Sequence, residues 1–312
     1  VTPLPRSSGD LTADRRADYA EMLFGSGDHA AAAELMLGAL ELAPSWTLGW
    51  FRLGEMHQAA GALDAAAEAW RIALKLDPDD QAGAELKLEL IGRAPLSSRP
   101  PTAFVEALFD QYAGAFDKSL VEKLGYRVPE LLAAAISRTG IPRFRHAVDL
   151  GCGTGLMGMR LRPFCDALEG YDISAGMLKN AGARGVYDRL VKADLQELSL
   201  AAGSADLVTA ADVFMYLGAL ERIFASVATA LAPGGVFAFS VEKHEGREPF
   251  VLRETRRYAH SRAYVEDALA RTVLSLVSLE EAVIRQDRNA PVEGFVVVAS
   301  IERCKLDMSG IG

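Results

Sequence analysis

Two kinds of hydrophobic spacing run along this chain. In the first third, small and apolar residues recur at helical intervals over residues 13 to 79, and Gln81 to Gly92 continue as a further helix. Phe109, Tyr112 and Phe116 then fall at i, i+3 and i+7, one helical face, ahead of a long helical stretch from Leu120 to Ile136. Beyond that point short apolar runs alternate with helical patterns. Ala147 and Val148 lead into a glycine turn, and Leu156, Met157, Met159 and Leu161 follow it with helical spacing. Further strands are predicted over Leu168 to Ile173, Leu190 to Leu195, Ala205 to Asp212 and Leu231 to Ser240. Residues 242 to 260 are polar, and Ser261 marks the N-cap of a helix through Leu269. Residues 272 to 286 and 294 to 301 are two last strands, joined by a turn at Asn289-Ala290-Pro291. Strands alternating with helices argue for an α/β fold with a parallel sheet.

The turn after the first of these strands is Asp149-Leu150-Gly151-Cys152-Gly153-Thr154-Gly155. Glycines let backbone approach a ligand closely, and the N–H groups of the following helix face an anionic group. A dinucleotide fingerprint needs G-x-G-x-x-G, and Leu156 stands where the third glycine should be. The pattern is D-x-G-x-G-x-G instead. Asp172 ends the next strand, 21 residues after Gly151, where a carboxylate can hold both hydroxyls of a ribose. Asp194 ends the third strand, and Pro233-Gly234-Gly235 turns into the fifth.

With the fourth strand and its exit at Ala205 to Asp212, these make five ordered landmarks, which over roughly residues 101 to 303 resemble class I S-adenosylmethionine (SAM)-dependent methyltransferases. The resemblance implies a Rossmann-like seven-stranded sheet with a terminal antiparallel hairpin, and SAM as cofactor with S-adenosylhomocysteine as product. It implies that Asp149 accepts from the cofactor's amino group, Asp172 holds the ribose and Asp194 accepts from the adenine amine. Cys152, Thr154, Ile173, Met177, Leu195 and Asp212 are its neighbouring cofactor contacts, with Gly151, Gly153 and Gly155 as the turn. Cys152 serves there as a small residue and not as a nucleophile. Tyr112 belongs to an aromatic segment of the kind that closes over SAM in such enzymes, where its ring can face a sulfonium. Asp212, Tyr258 and His260 are the candidates for a general base, needed only if the acceptor must lose a proton. Ala211-Asp212-Val213-Phe214 lacks the proline pair of nucleobase amine methylases.

In the N-terminal third, Gly27 and Gly61, Ala32 and Ala66, Ala39 and Ala73, and Pro44 and Pro78 are each 34 positions apart. That is the tetratricopeptide period. The second copy carries Trp50, Leu53, Gly54, Gly61, Ala66, Trp70, Ala73 and Pro78; in the first, Arg16 replaces the tryptophan. Two repeats and a cap are few for a stable solenoid, so the unit is expected to lean on the rest of the chain or on a second copy. Pro95, Ser97, Ser98, Pro100 and Pro101 form a linker, which gives an all-α domain over 1–94 and a methyltransferase domain over 101–312. The helical unit is expected to dock a protein partner or to self-associate.

Composition narrows the functions. A net charge of −9 argues against a nucleic-acid partner. Arg253, Arg256 and Arg257 form one local basic cluster. No apolar run reaches the ~20 residues of a membrane span, and Val1-Thr2-Pro3-Leu4-Pro5 shows no signal pattern. Cys152, Cys165 and Cys304 are odd in number and widely spaced, which suggests a reducing, cytoplasmic setting and no zinc site; the five histidines add no metal motif. Two other readings stay open: a non-catalytic SAM-binding docking factor, and an NAD(P)-dependent oxidoreductase, which Asp194 and the terminal hairpin disfavour.

Overall fold

The computed structural model describes residues 3–114, 125–287 and 290–302. The chain divides into two compact units, Val1–Ala107 and Leu108–Gly312. Phe116, Asn289 and Cys304 of the sequence reading lie outside the described residues.

The described part of the first unit is helical. α1 (Leu11–Gly25), α2 (His29–Leu40), α3 (Thr47–Ala59), α4 (Leu63–Leu76) and α5 (Ala84–Leu90) each pack on the one before, and α6 (Thr102–Tyr112) begins in this unit. Gly27 and Gly61 turn α1 into α2 and α3 into α4, at φ of +92° and +78°. Alanines line the α1–α2 seam: Ala13, Ala17 and Ala20 meet Ala32, Ala33 and Ala39. Their lack of bulk lets the helices approach closely. Gly54 does the same for α3 and α4, since a Cβ there would overlap the Trp70 indole, whose Nε1 donates to Phe51 O at 3.1 Å. Arg16 finds a different partner, donating to Gly38 O at 2.6 Å. α5 starts later than Gln81 because Asp80 caps it, accepting from Ala84 N and Glu85 N at 2.7 and 2.9 Å.

The second unit is built on one sheet. β1 (Phe144–Leu150), β2 (Cys165–Asp172), β3 (Arg189–Lys192), β4 (Ala205–Ala210) and β5 (Leu231–His244) run parallel in the order β3-β2-β1-β4-β5. β8 (Leu274–Asp287) and β9 (Ala290–Ile301) form the antiparallel hairpin, with β9 against β5. Seven strands were expected; these seven belong to a sheet of nine strands among the described residues. Its central strands β1, β4 and β5 are buried on both faces, so neighbouring residues enter opposite cores. Val148, Val208, Phe237 and Phe239 face α10 (Glu221–Ala230) and α11 (Arg262–Ala270), while Ala147, Leu207, Val236 and Ala238 face α7 (Val128–Ser137) and α8 (Leu156–Leu161). α9 (Ala175–Arg184) follows β2.

Three expectations need correction. Of the helix placed at Leu120 to Ile136, residues 120–124 lie outside the described residues, and α7 starts after residues 125–127, at Val128: Gly125 takes φ +54° and Pro129 sits in the first turn, a position proline tolerates because its missing N–H is not needed there. β3 ends at Lys192, two residues before Asp194. The polar stretch 242 to 260 is not loop throughout. β5 runs on to His244, and β6 (Phe250–Leu252) and β7 (Tyr258–Ser261) form a small hairpin on it. Glu242 pairs with Gly294 on one edge and Ala259 on the other, so β7 lies beyond the carboxyl end of β4. That is the side on which open α/β sheets bind ligands.

Candidate active site

The glycine turn leaves β1 in the left-handed region at every second residue: Gly151, Gly153 and Gly155 have φ of +61°, +54° and +94°. A Cβ at Gly151 would strike Val213, while the nearest atom a Cβ at Gly153 would meet is Gly151 O at 4.0 Å. The turn is thus packed at its first glycine and open over its second. Gly153 N donates to Asp172 Oδ2 and Ser174 N to Asp172 Oδ1, each at 2.8 Å. Asp172 therefore ties the turn to the end of β2 and keeps further lone pairs on both oxygens. Burial pushes its pKa up, while the N–H groups of Ser174 and Gly153 hold it down. Asp194 stands half-buried beyond the neighbouring strand, its Oδ1 accepting from Gln196 N at 2.8 Å.

The end of α6 closes this region from above. Asp110 Oδ1 accepts from Ser174 Oγ at 2.5 Å and from Gly176 N at 3.1 Å, and Ala113 O accepts from Asn180 Nδ2 at 2.7 Å. One residue earlier, the Phe109 ring meets Tyr216 edge-on at 5.1 Å. Ser174 follows β2 and Tyr216 follows β4, and β1 lies between those strands. The segment accordingly roofs the glycine turn. Tyr112 at its end is 54% exposed, with its ring still available.

The cradle fits SAM. Asp110 and Asp172 put carboxylates beside it and Asp194 follows on the next strand. Such a lining suits a cofactor bearing a sulfonium and an ammonium and repels a pyrophosphate. Gly151, Gly153, Gly155, Asp172, Ile173, Asp194 and Leu195 surround the carboxyl ends of β1 to β3 and are the residues that would hold it.

Several expected contacts belong elsewhere. Asp149 is fully buried, with Oδ2 accepting from Tyr187 OH at 2.7 Å and Oδ1 from Thr209 Oγ1 at 2.8 Å. Burial pushes its pKa up to about 6. It braces the turn from below, with both oxygens engaged by side-chain hydroxyls. Met177 has no exposed surface, so it is core. Cys152 is buried under β2, where a Cβ at Gly170 would come within 2.9 Å of its Sγ. Thr154 is buried too, and its carbonyl accepts from Arg184 Nε at 2.5 Å.

The general-base candidates are also committed. Asp212 has φ +58°, and both its oxygens accept from Arg285 Nη1 at 2.8 and 2.9 Å. Both carboxylate oxygens of Asp212 are thereby engaged by a buried guanidinium. Arg285, itself 2% exposed, donates from Nη2 to Glu242. His260 is fully buried, with Nε2 2.9 and 3.0 Å from the carbonyls of Leu217 and Gly218. Both partners are acceptors, so Nε2 carries the proton. Burial pushes the pKa of His260 down to about 4. It pins β7 to the segment after β4. Tyr258 is buried in the hairpin against Phe250. Sequence reasoning missed Asp110, Tyr187 and Arg285; only Arg285 left a signal, as a charge directly after Val283-Ile284 in a strand.

Residues 148–239 match the methyltransferase domain family. Malonyl-[acyl-carrier protein] O-methyltransferase of Geobacter sulfurreducens is 33% identical over 135 residues, 42% of this chain and 50% of that one. Trans-aconitate 2-methyltransferase of Paracidovorax citrulli is 34% identical over 143 residues, 43% of this chain and 54% of that one. The chain spans about half the length of these curated relatives. Among solved structures, 1,6-didemethyltoxoflavin-N1-methyltransferase of Burkholderia thailandensis, with bound S-adenosylhomocysteine, superposes with a TM-score of 0.52 at 18% identity, covering 67% of this chain and 92% of that one. Sheet order, glycine turn and family match agree on a methyltransferase domain in the second unit, with residues 148–239 as the matched part.

Proposed function

We propose that this protein transfers the methyl group of SAM to an acceptor that enters beyond the carboxyl ends of β4 and β5. The observation that carries this reading is the open face of Gly153 beside Asp172, whose carboxylate keeps lone pairs for two ribose hydroxyls. SAM supplies an already activated methyl group, so the protein's part is positioning and exclusion of water. Asp172 fixes the ribose, Asp194 the adenine amine, and the backbone around Gly153 the amino-acid end. Tyr112 offers a ring at the edge of the roof made by α6. The two relatives act, by their names, on a malonyl-loaded carrier protein and on trans-aconitate. Loss of S-adenosylhomocysteine binding in Asp172→Ala, with the fold intact, is the expected result; unchanged affinity would refute the assignment.

The helical unit is read as a pair of tetratricopeptide repeats with α5 as cap, on the strength of the 34-residue spacing and the two helix hairpins turned at Gly27 and Gly61. Its proposed role is to dock a protein partner or a second copy. Among the described residues no helix is long and apolar enough to cross a membrane. The unpaired, buried thiols of Cys152 and Cys165 favour a reducing compartment such as the cytoplasm.

A further inference from the structure

We propose that the methyl acceptor is a carboxylic acid, bound as its carboxylate by Arg257 and Tyr216 and methylated on oxygen. The inference rests on the methyl-transfer reading above and names its substrate class.

Arg257 stands at the foot of the turn between β6 and β7, where Arg253 N donates to Arg257 O at 2.9 Å. The hairpin is held over the carboxyl end of β4 by β5 and by the His260 bonds to Leu217 and Gly218. The Arg257 side chain is 24% exposed and only loosely engaged. Its Nε donates to Tyr216 OH across 3.4 Å, Nη1 lies 3.6 Å from Asp287, and Nη2 has no partner among the described residues. A guanidinium held by such long contacts keeps its fork for a carboxylate, which it can grip through two parallel bonds. Arg285 differs, since its two terminal nitrogens already serve Asp212 and Glu242.

Tyr216 brings this pole to the cofactor. It lies one 3-10 turn after Val213, the residue packed on Gly151, and under Phe109 of the roof. Its hydroxyl accepts from Arg257, and its own proton has no acceptor among the described residues. That proton can go to the second carboxylate oxygen.

Among the described residues, five bases near the mouth are occupied. Asp212 and Glu242 face Arg285, Asp287 faces Arg257, His244 Nε2 is 3.1 Å from Glu248, and His260 is buried with its proton on carbonyls. An amine or alcohol acceptor must lose a proton on methylation, whereas a carboxylate is already an anion at neutral pH. A carboxylate oxygen attacks the methyl carbon and forms the C–O bond. The S–C bond breaks with its electron pair left on sulfur, giving an ester and a neutral thioether, and no proton moves.

The test uses the full chain, [methyl-3H]SAM, and succinate, glutarate, adipate and decanoate in turn, each beside its uncharged amide. Binding of the same acids and amides to the protein saturated with S-adenosylhomocysteine is read by calorimetry. We expect the acids alone to bind and to become labelled, and mild alkali to release the label as methanol. Arg257→Gln should raise KM and Kd for the acid by about tenfold or more with little change in kcat, and Arg257→Lys should recover part of the loss. Alkali-stable label, labelling of the amides, or neither binding nor labelling of any acid by protein that binds S-adenosylhomocysteine overturns the proposal. Failure to bind SAM or S-adenosylhomocysteine is a separate result and overturns the cofactor reading itself.

Discussion

Replacing Asp172 with alanine separates the two tasks this carboxylate performs. In the free protein it accepts Gly153 N and Ser174 N at 2.8 Å each, at the edge of the core. Removing it strands two N–H donors, each worth about 1–3 kcal/mol when buried without a partner, less what entering water recovers. A stability loss of roughly 2–4 kcal/mol follows, which thermal unfolding would register as a lower Tm. The second loss is to the cofactor. Two charge-assisted bonds to ribose hydroxyls, at about 1.5–3 kcal/mol each, amount to a weakening of at least a hundredfold in Kd. Asp172→Asn discriminates between them: its amide oxygen still accepts one N–H, so it should keep more stability than alanine while losing the charge. The assay is calorimetric titration with S-adenosylhomocysteine at a temperature where each variant is folded. There is a pH counterpart. Burial raises the Asp172 pKa, so acidification should weaken cofactor binding at a higher pH than an ordinary carboxylate would allow. A folded Asp172→Ala that binds S-adenosylhomocysteine as the native protein does would refute the reasoning.

The other variants probe the frame around the site. His260 is held near 4 by burial, below its unfolded value of about 6.5, so its contribution is complete above pH 6.5 and fades as pH falls toward 4, by about 3 kcal/mol at most; urea titrations of His260→Gln should lack that part of the slope. Arg285→Met leaves Asp212 and Glu242 buried without their guanidinium and should cost about 3–5 kcal/mol in chemical denaturation, an effect that a pair of surface charges would not show. Gly54→Ala places a methyl group in the Trp70 indole and should destabilise the helical unit by about 1–3 kcal/mol, read by tryptophan fluorescence.

The strands of the sheet were legible because parallel strands buried on both faces read as apolar runs, and the turn because three glycines there adopt positive φ. Asp172 was legible as the acid that ends its strand, whereas Asp194 stands two residues past the end of β3. The partners of Asp149 were not legible, because Tyr187 and Thr209 come from 38 and 60 positions away. The β6–β7 hairpin was hidden because its strands are 3 and 4 residues long and polar in part, held by tertiary pairing with β5 more than by any local preference. The role of Asp110 was invisible for the same reason, since Ser174 and Gly176 lie 64 and 66 positions further on. His260 was read as a candidate general base, and the hairpin turns it inward. The arginines of residues 253 to 257 were visible as a cluster, but which of them stands beside Tyr216 depends on the fold of that turn.

The central claim is that the cradle over Gly153 takes SAM. Calorimetric titration of the full chain with SAM, S-adenosylhomocysteine and NADH tests it most directly. The account predicts binding of the first two with Kd on the order of micromolar and no heat from NADH. Binding of NADH, or of none of the three, would contradict it.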